Sequence, residues 1–522
     1  MLKKFFSETL IICISILVTL SFATWLNFSW NNLDYLQWKS LDEYAFHGVL
    51  LKLHYSILNL DVRSFFAFSF YSYGLIFFFI NYLSILPFIS DPTSELIIFM
   101  PKMVSTVFFI LCLIFLNFLM KELKIDKSLR FGGFIFIILM PGMWFNVNWF
   151  HPDLMMTSFL LISIYFLSKN SFTLKNYNDF SLIFWGIAIA IKIQAITYAP
   201  IFFWVLCKRA LSKKSYFNEF KLTLKIFLFI ILIYVLLNPY LFHLDGINAW
   251  IENIKSEFFN ASISEENPKV PLSTKLSYGV FDYYLAPFLF ALILVCSLYK
   301  IVEDLYKKNF SLMGAISLTF FINILFLIFF INKGWNSYYL PTIFLSAIII
   351  FYFLDKVKIK LNKFLILIAL ISVHGHYFFS DFEKIISYRF QDKIVSRDSV
   401  FNYQPKVYSL EQLKQKEQSL INLFEKKIDK KSLILSSAYI GLPLKKLNLS
   451  YEQVKIIYGD ISKSDVMWFV SAEGPNNYLL IKKINSQNLI NDFSRMILPL
   501  GQKIKITDEI YCCFLIKTET IN

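Results

Sequence analysis

Apolar runs of helix-spanning length recur from the N-terminus to about Phe379 and then stop. A helix needs about 20 predominantly apolar residues to cross a hydrocarbon core roughly 30 Å thick. The first run covers about 9–26 and leads into Trp30 and Trp38, aromatic residues suited to a membrane interface. Later runs cover about 98–119, 131–149, 154–168, 181–191, 195–207, 226–243, 284–299, 311–331, 338–354 and 364–379, which with the first makes about eleven spans. The pair 181–191 and 195–207 is short, about 16–20 Å each at about 1.5 Å per residue, and reads as a hairpin with Lys192 near its tip. Beyond residue 380 the pattern changes. A charged amphipathic helix over about 410–428 precedes short apolar runs at 433–435, 454–458 and 466–470, alternating with turn signals, which predicts a small α/β domain.

Residues 64–89 decide the topology. They are apolar enough to span but carry Tyr71, Tyr73, Asn81 and Tyr82 and end at Pro87. If they span, the basic loop Lys121–Arg130 falls outside and every later loop inverts. If they lie along the interface, the basic stretches 1–8, 120–130, 169–180, 208–225, 300–310 and 355–363 all fall inside, as the excess of Lys and Arg in cytoplasmic loops requires. We therefore read 64–89 as juxtamembrane. The N-terminus is then cytoplasmic, and the odd number of spans puts 381–522 outside. The expected architecture is mainly α: a polytopic plasma-membrane (inner-membrane) protein with about eleven transmembrane helices plus juxtamembrane helices over 1–380, and a small extracytoplasmic α/β domain over 381–522.

Composition agrees, at 57% hydrophobic and 17% charged residues. The net charge of +14 would raise the question of nucleic acid, but the basic loops that orient the helices account for most of the surplus, so no nucleic-acid partner is implied. The six cysteines show no CxxC or other metal spacing.

Candidate chemistry gathers in the loops expected outside. Asp42 and Glu43 follow the first span beside aromatic residues, where desolvation would make a carboxylate a usable base; otherwise they belong to a solvated loop. His54 lies further along the same stretch as a candidate substrate contact. His151-Pro152-Asp153 opens an apolar helix; a helix-start signal accounts for Pro152 and Asp153 but leaves His151 unexplained. Lys192 interrupts the run GIAIAIKIQAI, where a lysine either snorkels or faces a polar cavity and pairs with a phosphate. Lys333 is one cation among aromatics in NKGWNSYY, suited to a lipid phosphate or marking the interface.

The order of these segments carries a resemblance. A first outer loop with Asp42-Glu43, a long juxtamembrane segment and a helix opening MPKMVSTVFF come first. A basic inner loop, a helix ending PGMWF, the His151-Pro152-Asp153 loop, GIAIAIKIQAI, NPYLF and a YYLPT helix follow. Over about residues 1–380 the chain resembles GT-C membrane glycosyltransferases, in particular relatives of protein O-mannosyltransferase and lipid A aminoarabinose transferase. The resemblance implies a polyprenyl-phosphate-linked sugar as donor. It matches Asp42 to the catalytic carboxylate of the first loop, Glu43 to its neighbour, Asp153 to the second-loop carboxylate, and Lys192 to a lysine often found there. Some relatives recruit a divalent metal ion between the acidic loops, so a metal cofactor is left open. A transporter or flippase is the principal alternative, but it would be expected to show matching halves with polar residues at mid-span. A non-catalytic envelope-assembly protein on the same scaffold is the other.

Overall fold

The helix Asn336–Asp355 is apolar on every side, which in a bundle means burial on every side. In the computed structural model, 83% of its most apolar window is buried, against 11% for the corresponding windows of Glu219–Leu237 and Lys363–Ser380. It packs against Lys127–Ile138, Asp153–Lys169, Pro287–Tyr306 and Leu312–Phe329. The two poorly buried helices instead turn large side chains outward, among them Phe227, Leu228, Phe364 and Leu365. A lipid-facing surface of this kind needs no partner protein.

The structure describes residues 8–28, 40–66, 70–90, 94–170, 172–174, 179–213, 216–261, 270–332, 334–358 and 360–380. Beyond these it describes seven strands and a few residues between Glu411 and Asn422. The chain divides into two units. One comprises Met1–Phe28, Phe70–Asn81 and Pro101–Ile386; the other comprises Ser29–Ser69, Tyr82–Met100 and Ser387–Asn522.

Five described helices are each long and apolar enough to cross a membrane, and a sixth span results if a bent pair counts as one. That pair corrects the expected span 131–149, which is two helices, Lys127–Ile138 and Pro141–Val147, bent by 65°. Met140 is extended between them, and Pro141, which has no N–H to offer a preceding turn, starts the second helix. Three of the other expected spans are helices of 12 to 17 residues, Phe180–Ile191, Ala199–Lys213 and Asp153–Lys169. The described residues of 62–90 form no continuous spanning helix. Val62–Phe66 is one turn, and Leu75–Ile85 has 11 residues, about 16 Å of rise, before a 3₁₀ turn at Leu86–Phe88.

The expected hairpin around Lys192 is present. Lys192 is the C-cap of Phe180–Ile191 with φ −152° and ψ 120°, and a 3₁₀ turn, Ile193–Tyr198, leads into Ala199–Lys213. Trp185 stacks on Phe202 with ring centroids 4.4 Å apart. One straight helix would separate these positions by roughly 25 Å, so the chain must double back. The Trp185 indole N–H donates to the Ala195 carbonyl at 2.9 Å and closes the turn.

The segment ahead of Leu75 is strapped to this hairpin. The Gly74 N–H donates to Ile191 O at 2.9 Å and the Leu75 N–H to Asn238 Oδ1 at 3.0 Å, while Tyr73 bridges the backbone of Lys192. A Cβ on Gly74 would lie 1.5 Å from Ala190 O, so only glycine permits the approach. Gly74→Ala is expected to reduce the yield of folded, monodisperse protein sharply, because the clash is with backbone and cannot be relieved by a rotamer. Gly48→Ala, where nothing lies within 4 Å of the added methyl, should fold at least as well as wild type, since alanine favours the helix interior. Size-exclusion chromatography of detergent extracts compares the two, and equal yields would show that the strap is dispensable.

In the second unit, the strands form an antiparallel pair, Lys393–Val395 with Val407–Ser409, and a mixed five-stranded sheet. Its order is Val454–Ile457, Leu433–Ser437, Asn477–Lys482, Cys513–Thr520, Gln502–Ile510. The first three strands are parallel and the last two antiparallel to their neighbours. The apolar run at 433–435 and residues 454–457 of the next fall on strands, and 466–470 lies outside the described residues.

Candidate active site

Two polar centres, one in each unit, hold the expected site residues other than Lys333. In the first unit, Pro152 is the N-cap of Asp153–Lys169 and Asp153 its first residue, so the acidic side chain complements the helix dipole as a helix-start signal would. The carboxylate does more than that. Asp153 Oδ1 accepts from Lys192 Nζ at 2.7 Å, and Oδ2 is paired with His151 Nδ1. Asp153 is 1% exposed, Lys192 5% and His151 6%. A carboxylate, an ammonium and an imidazole are thus buried together, and a buried charge is tolerated only in such company.

Aromatic rings wall this cluster. The Trp149 indole lies parallel to the His151 ring at 3.9 Å between centroids, and Tyr73 meets the same imidazole edge-on at 5.3 Å. Lys192 Nζ sits 4.9 Å from the centre of the Tyr338 ring and 5.6 Å from that of Tyr73, within cation–π range. The Trp149 carbonyl accepts from Ser105 Oγ at 2.9 Å, and Gln194 Nε2 donates to Tyr338 O at 3.0 Å, so both walls are anchored. The convergence of Tyr73, Trp149 and Tyr338 left no local mark in the sequence beyond their adjacency to polar residues.

In the second unit, Asp42 and Glu43 occupy the first turn of the helix Leu41–Leu58, where negative charge is favoured by the dipole. This corrects the loop expected there: the run LDEYAFHGVLLKLHYSIL contains no proline, and its one interior glycine does not stop the helix. Glu43 is buried outright, with its N–H directed at Ser40 Oγ at 3.3 Å, and Asp42 is half-buried. His47, one turn on from Glu43, is also buried. His54 Nδ1 lies 3.3 Å from the Tyr82 hydroxyl. Burial pushes His54 below and Tyr82 above its ordinary pKa range, so the pair is neutral near pH 7. Lys333 lies outside the described residues; its neighbour Asn332 accepts from the Val270 N–H at 2.9 Å.

Compared by sequence, the chain matches no family description and no curated protein. Compared by structure, it is similar to ArnT from Cupriavidus metallidurans in the apo state, with a TM-score of 0.53 over 90% of this chain and 93% of that one at 7% identity. It is also similar to the Archaeoglobus fulgidus oligosaccharyltransferase tethered to an acceptor peptide, with a TM-score of 0.50 over 97% of this chain and 74% of that one at 12% identity. Both are GT-C membrane glycosyltransferases. The fold is GT-C.

The resemblance to GT-C enzymes left open a divalent metal between acidic segments, and the residues present test it. Among the described residues, no three His, Cys, Asp or Glu side chains converge on one point. Both oxygens of Asp153 are already committed to Lys192 and His151. The donor set around Asp153 does not fit a metal ion.

Proposed function

We propose that the chain is an integral membrane glycosyltransferase that moves a hexosyl or pentosyl group from a polyprenyl-phosphate donor to an acceptor on the extracytoplasmic face. The observation that carries this reading is the GT-C fold, which extends over nearly the whole chain. The polar helix starts at Asp42 and Asp153 support it, because both bring carboxylates to the ends of apolar helices. In this reading Asp42 takes the proton from an acceptor hydroxyl as it attacks the anomeric carbon, and cations offset the charge that develops on the departing lipid phosphate. Glu43 shapes the field around Asp42, Asp153 is the catalytic carboxylate of the second acidic segment, and His54, His151 and Lys333 contribute to donor or acceptor binding. In this reading residues 1–380 are the transmembrane domain, residues 381–522 are an extracytoplasmic α/β domain, and the N-terminus is cytoplasmic.

The donor class gives the decisive test. Purified protein in lipid nanodiscs is expected to transfer sugar from polyprenyl-phosphate sugars and to leave nucleotide sugars untouched, in keeping with the absence of any Gly-rich phosphate loop from the sequence. Turnover of a nucleotide sugar without prenyl lipid would end the proposal. A lack of transfer with every prenyl-linked sugar, together with movement of the lipid-linked sugar between leaflets, would favour a flippase.

A further inference from the structure

We infer that the second acidic segment of this chain carries its own cation: the Lys192 ammonium holds the place beside Asp153 that a divalent metal ion would need. The inference deepens the glycosyltransferase reading and rests on it only for its catalytic meaning; the charge arrangement stands by itself.

Three observations lead there. The first is the contact set. Lys192 Nζ donates to Asp153 Oδ1 at 2.7 Å while His151 Nδ1 faces Oδ2, so each oxygen of a carboxylate 1% exposed already has a partner. A hard divalent cation takes about six to eight oxygen ligands, or an octahedral set rich in water, and neither suits so closed a corner. The second is the enclosure. The rings of Tyr73 and Tyr338 stand 5.6 and 4.9 Å from Nζ, a setting that accepts an ammonium through the ring quadrupole but offers a metal no oxygen from the ring faces.

The third is that the backbone carrying Lys192 is fixed on both sides. Its N–H donates to Ala188 O at 3.0 Å as the last bond of the preceding helix, and its backbone bridges Tyr73. The adjoining carbonyl of Ile191 is held by the Gly74 N–H at 2.9 Å, and Ala195 N–H returns to Lys192 O at 3.0 Å. A metal ion entering beside Asp153 would leave that ammonium buried against a dication, and the repulsion would expel one of them. Lys192 is therefore a positioning residue. Its single charge makes Asp153 part of a neutral pair, and that pair fixes the plane of His151 between Trp149 and Tyr73.

Manganese binding tests this without any transfer assay. Detergent-purified wild-type protein and Asp153→Asn, both stripped with chelator, are titrated with Mn²⁺ up to about 1 mM, the weak end of protein cation sites, and bound ion is read from loss of the free-ion paramagnetic resonance signal. Wild type and Asp153→Asn are expected to bind equal amounts. One further Mn²⁺ in wild type, lost on Asp153→Asn, would overturn the inference. Removing the ammonium frees Asp153 Oδ1 and, with the side chain cut back to a methyl, leaves room for water ligands: Lys192→Ala is expected to bind one Mn²⁺ more than Lys192→Ala/Asp153→Asn, and equal binding by those two would also overturn the inference. Should Lys192→Ala fail to fold, the comparison of wild type with Asp153→Asn decides alone. Failure of the donor assay would remove the glycosyltransferase reading and leave these binding results intact.

Discussion

Asp42→Asn is expected to lower sugar transfer by about 10²- to 10⁴-fold, the usual worth of a general base, with expression and donor binding close to wild type. The substitution keeps the size of the side chain and one hydrogen-bonding oxygen and removes its negative charge and its ability to take a proton. Asp42 sits half-buried in the first turn of Leu41–Leu58, and a helix start tolerates asparagine, so the fold should not register the change. Glu43→Gln makes the contrast. Glu43 is fully buried, so its substitution is expected to act on folded yield as much as on rate. The measurement is transfer in membranes adjusted to equal amounts of folded protein. A solvated surface carboxylate would give a change worth less than about 0.5 kcal/mol. Near-normal transfer by Asp42→Asn would therefore remove it from the mechanism.

What could be read in the sequence depended on whether the signal was local. The all-apolar run at 338–354 announces a helix buried on every side, and Asn336–Asp355 is one. Two short apolar runs flanking Lys192 announce a reversal, because neither alone is long enough to span, and the Trp185–Phe202 stack bears this out. Pro141 was in plain view, yet hydropathy runs smoothly across 131–149 and hides the break it makes. Asp42 and Glu43 read as a loop because acidic residues interrupt an apolar pattern, although the same residues are favoured at a helix start. The pairing of Asp153 with Lys192 joins positions 39 apart, and the contact of Gly74 with Ala190 joins different segments of the chain. Such contacts depend on tertiary packing and leave no period in the sequence. Nothing short of the fold reveals that Lys192 meets a carboxylate.

Lys192→Met is expected to destabilise the protein by about 3–5 kcal/mol, the usual cost of leaving one partner of a buried ion pair uncompensated. Methionine has the length and flexibility to fill the space between the Tyr73 and Tyr338 rings, so lost packing should contribute little. What remains is the Asp153 carboxylate, 1% exposed, with His151 as its neighbour and no ammonium. Lys192→Met/Asp153→Asn removes both charges and should recover most of the loss, because replacing a buried pair with neutral groups is often close to neutral in stability. The difference between the double variant and the sum of the singles isolates the coupling, expected at the upper end of about 0.5–3 kcal/mol for groups in contact. Denaturant unfolding in detergent, followed by tryptophan fluorescence, gives the four free energies of the cycle. A lysine that merely snorkelled to the interface would cost little when replaced and show no coupling to Asp153. If the double variant is as unstable as Lys192→Met alone, Asp153 is not the charge that Lys192 balances, and the buried pair loses its place as the anchor of the hairpin turn.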